Sequence, residues 1–278
     1  MAGLEIRLRR WMPASRLGEA MAGGLALAGG LLPALLLART VERRTGWLTG
    51  LALKQALAHR ALDRAVAQVE EALRAGALDQ ARSHLGHHLV SRDTRELSPE
   101  EVAMAAVESL AENLNDSLVA PLFWWEVAGL PGAWGYRAVN TADAMWGYRC
   151  PRYEWFGKLA ARLDDLLNWV PARLTAALIW GVAACQGAGS RTWHTWRRES
   201  GRTPSPNAGH PMAAMAGALG VSLSKPGVYT LHGGPEPCTV EHVAQARKLA
   251  QRVAWLAWAT AIWAALLWGK GSPWNRRG

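Results

Sequence analysis

The chain has 278 residues, half of them hydrophobic and 19% charged, with 28 Gly, 14 Pro and 16 Trp. So large an apolar fraction excludes a disordered chain, and the lack of a G-X-Y period excludes a collagen-like rod. The net charge of +9, from 31 Lys and Arg against 22 Asp and Glu, suits nucleic acid, anionic lipid or a phosphorylated substrate. The arginines gather beside apolar segments (Arg7, Arg9, Arg10, Arg39, Arg43, Arg44), which fits lipid headgroups and speaks against a nucleic-acid footprint.

Residues 21–38 form the first candidate element, a charge-free run of 18 residues with basic flanks. About 20 apolar residues cross a bilayer core, so a membrane span is expected here rather than a secretory leader, whose apolar region is shorter. Gly23, Gly24, Gly29 and Gly30 follow no strand, so they read as helix-packing positions and not as a dinucleotide fingerprint. Residues 50–116 are amphipathic and helical, with a break at Gly76. His84, His87 and His88 have helical ligand spacing but no HExxH pattern, and no Walker-type phosphate loop occurs anywhere.

Ser98-Pro99-Glu100-Glu101 is a helix start, with Ser as N-cap, Pro at N1 and Glu at N3. On that helix Glu101, Glu108, Glu112 and Asp116 share one face, flanked by Asn113 and Asn115. The stripe runs into the apolar segment 118–134, which Pro121 and Pro131 interrupt. Acids at such a boundary are costly and point to function, although a solvated helix face explains Glu101 as well. Asn140 and Asp143, at i and i+3, can meet one ligand or form a cap and turn. Asp164, Asp165 and Asn168 put hard oxygens on one helix, suited either to Mg²⁺ or to ion pairing with Arg162 or Arg173.

A third apolar stretch, 166–189, follows, then a Pro/Gly-rich region, 190–252, expected as loop. Within it 204–209 reads PSPNAG, and the only doubtful strand is 227–232. Arginines nearby make Ser205 and Asn207 candidates for an anion site, unless the segment is an ordinary surface loop. The last candidate span is 253–268, charge-free, with Trp255, Trp258, Trp263 and Trp268 as interfacial anchors. The expected fold is all-α: a polytopic helical membrane protein of one integral-membrane domain, 1–278. Cys150, Cys185 and Cys238 are too scattered for a disulfide framework or a structural zinc site.

Taken in order, SRDT (91–94), VESLAENLNDSLVAPLFW (107–124), YRAVNTADAMWGYR (136–149), ARLDDLLNWVPARLTA (161–176) and PSPNAGHPMAAMAGALGV (204–221) form a series. This series resembles the adenosylcobinamide-phosphate synthase family of cobalamin biosynthesis, known as CobD/CbiB. The resemblance implies a multi-pass enzyme of the cell (inner) membrane. Such a ligase forms a carbon–nitrogen amide bond, joining aminopropanol or its O-phosphate to adenosylcobyric acid with ATP and Mg²⁺.

Under that resemblance Glu112 is the expected general base, with Asp116 and Asp143 beside it in the catalytic set. Asp164, Asp165 and Asn168 would hold metal. Arg92, Asp93, Asn113, Asn140, Arg162, Arg173, Ser205 and Asn207 would meet phosphate or corrinoid. The implied partners are the corrinoid, the amino alcohol, the bilayer, and a second copy or other membrane enzymes of the pathway; nucleic acid is not among them. The chain departs from the family at Ser91, Leu114, Ser117 and Met212, and it opens after the short N-terminal motif that members carry. A non-catalytic membrane relative with a regulatory or sensory role is therefore the alternative expectation.

Overall fold

The computed structural model describes residues 2–12, 15–44, 46–148 and 150–269. The chain divides into two compact units, Met1–Leu57 with Ala120–Asn168, and Ala58–Val119 with Trp169–Gly278.

The first unit holds α1 (Ala2–Trp11), α2 (Arg16–Glu42) and α3 (Gly46–Ala56). In the second unit the chain forms α4 (His59–Arg74), α5 (Leu78–His88), α6 (Pro99–Leu114) and a π-helical turn, Asn115–Val119. It returns to the first unit with α7 (Ala120–Trp146). The next helix, α8 (Lys158–Ala184), begins in the first unit and passes to the second at Trp169. The second unit is completed by α9 (Gly189–Glu199), a 3₁₀ turn (Ser200–Arg202), α10 (Gly209–Leu219), β1 (Ser222–Lys225), β2 (Tyr229–His232) and α11 (Val240–Gly269).

Small residues let α2 pack closely in the first unit. Gly23 abuts the Phe156 backbone so tightly that a Cβ there would overlap it. Around this contact Ala22, Ala26, Leu27, Val139, Ala142 and Ala160 surround Trp146, which meets Phe156 edge-on at 5.1 Å. The expected break in 118–134 falls at Ala128 and Gly129, where Gly129 takes φ 66°. Pro131 explains it: with no N–H, and with helix disfavoured just before it, proline ends the first half of α7. The Glu42 carboxylate then accepts the Leu130 N–H at 2.9 Å and acts as a cap for the restarted helix. Pro121, just past the π turn, causes no such break.

In the second unit α6 is the central helix, with Val102, Ala103, Ala106, Val107, Leu110, Ala111 and Leu114 all fully buried. Its start is a capping box: Ser98 Oγ accepts the Glu101 N–H at 3.2 Å, and Glu101 accepts the Ser98 N–H at 2.8 Å. The amphipathic α4 buries Leu62, Val66 and Val69 while Asp63 and Glu70 both bind Arg247 of α11. Gly76, at φ 68°, separates α4 from α5 as expected.

Two expectations need correction. Residues 190–252 are not a loop: they hold α9, α10, the hairpin and the start of α11. Many of the prolines and glycines that suggested irregular chain lie between these elements, as at 204–206 and 233–235, while Gly209, Pro211 and Gly217 are accommodated within α10. The fold is therefore helical with one antiparallel hairpin, pairing Leu223 with Leu231 and Lys225 with Tyr229 around a turn in which Gly227 takes φ 71°.

Among the described residues two helices are long and apolar enough to cross a membrane, α2 and α8. Only 22% of the apolar window of α2 is buried against 50% for α8, and α2 exposes Leu25, Leu32, Leu36 and Leu37. That row of leucines is costly in water and supports membrane association. The candidate span 118–134 runs from the π turn into α7, and 253–268 lies in α11.

Candidate active site

In the second unit a cavity of about 160 Å³ opens beside α6, space for roughly five waters or one small organic molecule. One face of α6 supplies Ala105, Glu108, Ser109 and Glu112, the segment after α5 supplies Leu89 to Arg92, and the hairpin supplies Lys225 and Tyr229. Strand alternation explains the last pair. Leu223 and Leu231 point into the core, so Lys225 and Tyr229, two residues along on each strand, share that face at the turn end. Ser109 Oγ donates to the Leu89 carbonyl at 2.8 Å, tying the α5–α6 segment to the helix, and within α6 Asn113 donates back to the Ser109 carbonyl at 2.9 Å.

Glu108 sits at the back of this cavity, 6% exposed. Its Oε2 lies 3.8 Å from Arg92, and its buried Oε1 accepts no hydrogen bond. Burial lifts the Glu108 carboxyl above the ordinary glutamate range, against the opposing pull of Arg92, Tyr229 and Lys225. The Tyr229 hydroxyl is raised too, by burial and then by the negative charge of Glu108. Cys238, a buried thiol pushed up to about 12 by burial and by Glu108, is unreactive for the same reason.

A second group in this unit surrounds the 204–210 segment. Arg173 donates to the Trp169 carbonyl at 2.6 Å and to Asn207 Oδ1 at 3.4 Å, with its guanidinium over the Trp169 ring. Ser205 Oγ accepts the N–H groups of Asn207 and Ala208 at 3.2 Å each, so it shapes the turn ahead of α10. Trp196 donates its indole N–H to His210 Nδ1 at 2.9 Å. An indole can only donate, so the neutral ring carries its proton on Nε2. Burial, then Arg173, pushes His210 down to about 4, which keeps it neutral near pH 7. In the π turn, Thr175 donates to Asn115 Oδ1 at 3.0 Å and Asn115 donates to Asp116 at 2.8 Å. Asp116 is the second residue of the π turn and does not line the cavity that holds Glu108 and Glu112.

The first unit carries a separate network. Tyr136 donates to Asn168 Oδ1 at 3.0 Å, Asn168 donates to Asp164 Oδ2 at 2.9 Å, and Asn140 donates to Asp164 Oδ1 at 3.2 Å. Arg137 completes it with a 3.3 Å bond to Asn140 Oδ1. Asp165 is half-buried beside Asp164, and Arg162 is exposed. Asp143 packs against Gly147, where any Cβ would meet its carboxylate; residue 149 of the same motif lies outside the described residues.

Among the described residues no group of three or more His, Cys, Asp or Glu is placed to hold a metal ion. The oxygens of Asp164, Asp165 and Asn168 nonetheless fit Mg²⁺ in kind, since this ion keeps most of its waters and takes one or two carboxylates with substrate phosphates.

Of the residues expected from sequence, Arg92, Glu112 and Asn113 gather at or behind the cavity, Arg173 and Asn207 join each other, and Asn140 joins Asp164 and Asn168. Asp93 turns to the surface, where Arg95 pairs with it at 2.6 Å and holds its carboxyl well below the usual range. Sequence reasoning saw Glu108 only as part of a stripe and passed over Lys225, Tyr229 and His210. The doubtful strand at 227–232 was the one available signal for the hairpin pair.

The family described as CobD/Cbib protein matches residues 1–256. The chain is 46% identical over 226 residues to the cobalamin biosynthesis protein CobD of Chromobacterium violaceum, covering 77% of this chain and 69% of that one. It is 48% identical over 194 residues to CobD of Stutzerimonas stutzeri, covering 69% and 62%. Against the probable CobD of Methanocaldococcus jannaschii it is 45% identical over 165 residues, covering 59% and 53%. The matched segment thus spans between about half and two thirds of these relatives' lengths. No solved structure matches the chain. The helical fold, the ordered polar motifs and these matches together make the chain a member of the CobD/CbiB family of cobalamin biosynthesis.

Proposed function

We propose that this chain is a multi-pass membrane ligase that couples the free propionate carboxyl of adenosylcobyric acid to aminopropanol, or its O-phosphate, at the expense of ATP. The observation that carries this reading is the small cavity in which two glutamates, Glu108 and Glu112, face Arg92 and Lys225. A carboxylate does not react with an amine until its oxygen becomes a leaving group. Transfer of the ATP γ-phosphoryl group to that oxygen gives an acyl phosphate and ADP. The amine nitrogen then attacks the carbonyl carbon, the carbon–oxygen bond to phosphate breaks, and the proton leaving nitrogen needs a base.

Glu112 is exposed enough to meet the amine and is assigned that proton. Arg92 and Lys225 supply positive charge for the departing phosphate or for a phosphate on the amine. A space of about 160 Å³ admits the amine but not a corrin ring, so only the propionate arm would reach in. Asp164, Asp165 and Asn168 are the residues assigned to Mg²⁺, which when bound would neutralise phosphate charge. Neutral His210, with its donor on Nε2, and Arg173 suit amide or phosphate oxygens.

Membranes carrying the protein, supplied with adenosylcobyric acid, ATP, Mg²⁺ and either form of the amine, should yield the amide product by mass spectrometry. Product should vanish when ATP is omitted. Absence of conversion by correctly inserted protein would refute the proposal.

A further inference from the structure

Glu108 lines the cavity, and its Oε1 is buried and accepts no hydrogen bond. An acceptor left unpaired in the interior has lost its hydration without compensation, and such atoms are rare enough to need a reason. A carboxylate oxygen can only be satisfied by a donor. Arg92 stands 3.8 Å from the other oxygen, and neither Tyr229, whose hydroxyl pulls on the carboxyl but donates to Met212 Sδ, nor Lys225 makes a hydrogen bond to Oε1. Glu112 lies four residues further along the same face of α6, and like charges at that spacing repel. A cation seated between the two carboxylates would relieve both the unpaired oxygen and the repulsion.

We infer that Glu108 is the receptor for the ammonium group of the amine substrate, a specificity-determining residue that selects a primary amine and passes it to Glu112. The inference rests on the amide-forming reading of the same cavity. An ammonium group carries three donors, enough for the Glu108 carboxylate, the Glu112 carboxylate and one further acceptor. A hydroxyl in its place has one donor and no charge, so the cavity discriminates an amino alcohol from a diol of the same shape.

The test is equilibrium binding to the detergent-solubilised full chain, by calorimetry, with 1-aminopropan-2-ol and propane-1,2-diol as probes and without ATP or corrinoid. The natural chain should bind the amine at least about 30-fold more tightly than the diol, the scale of losing one partner of a buried charge pair. Glu108→Gln should abolish that preference, and Glu108→Asp, which keeps the charge, should restore part of it. In turnover, Glu108→Gln should raise KM for the amine while leaving KM for ATP unchanged. Equal binding of amine and diol by the natural chain overturns the inference, as does full preference retained in Glu108→Gln. The amide assay is independent of this result. A chain that prefers the amine but forms no amide keeps the inference and loses the ligase reading; a ligase whose KM for the amine ignores Glu108 does the reverse.

Discussion

Two carboxylates, one in each unit, occupy opposite electrostatic situations. Asp164 accepts an amide hydrogen bond on each oxygen, from Asn140 and from Asn168, and Asn168 is itself fixed by Tyr136. Glu108 is buried as deeply as a core residue, yet one oxygen accepts nothing and the nearest cation stands 3.8 Å from the other. A satisfied network holds its members in place and contributes to stability. An unsatisfied buried charge is a cost that the folded chain carries until something fills the cavity. The contrast separates a preorganised cluster that positions oxygens from a receptive one that waits for a donor.

The sharpest way to break the comparison is Asp164→Ala. It removes one acceptor from the half-buried amide of Asn140 and one from the buried amide of Asn168, at about 1–3 kcal/mol for the buried one. It should also lower turnover by about 100-fold or more, the scale of removing one charge-stabilising group. A chain that melts and turns over like the natural one would show that the network is ornamental. Melting temperature in detergent and initial rate are the two readouts.

Glu108→Gln should act in the opposite sense on stability. Because the folded pKa of Glu108 is raised above its ordinary value of 4.5, the folded state binds more protons than the unfolded state above that pH. Stability of the natural chain therefore falls as pH rises from about 4.5 toward the folded pKa. The variant lacks this slope, so its advantage in melting temperature should widen across that window and then level off. About 1 kcal/mol corresponds to roughly 2–4 °C in chains approaching this size. Parallel melting curves at every pH would contradict the assignment.

Tyr136→Phe is the mildest change. It removes one buried hydrogen bond to Asn168, worth about 1 kcal/mol, and should lower the melting temperature by roughly 2–4 °C. Asp164 keeps both amide partners, so turnover should fall less than about threefold. A loss as large as that of Asp164→Ala would place the phenol in the chemistry itself.

Much of this was legible in the sequence wherever the signal was local. Ser98 and Glu101 form the capping box that their spacing announces, Gly76 breaks the amphipathic helices, and the apolar run 21–38 lies inside α2. The acid and amide motifs at 107–116, 136–143 and 161–168 fell on helices, and Asp164 with Asn168 was readable as one turn of a helix. What could not be read depends on contacts between distant segments or on a change of helical pitch. Nothing local to residue 225 says that its side chain ends beside residue 108, because strand pairing sets that face. The π turn at 115–119 interrupts the regular helical pitch that a stripe through Asp116 presumes. His210 gains its role only through Trp196, 14 residues earlier, whose indole fixes the tautomer.

The most direct test of the account is single-turnover amide formation by Glu112→Gln, measured together with amine binding in the same preparation. The account predicts that binding of the amine survives within a few-fold while amide formation slows by about 10²–10⁴, the contribution of a positioned base. Amide formation at the natural rate, with the amine still bound, would contradict it.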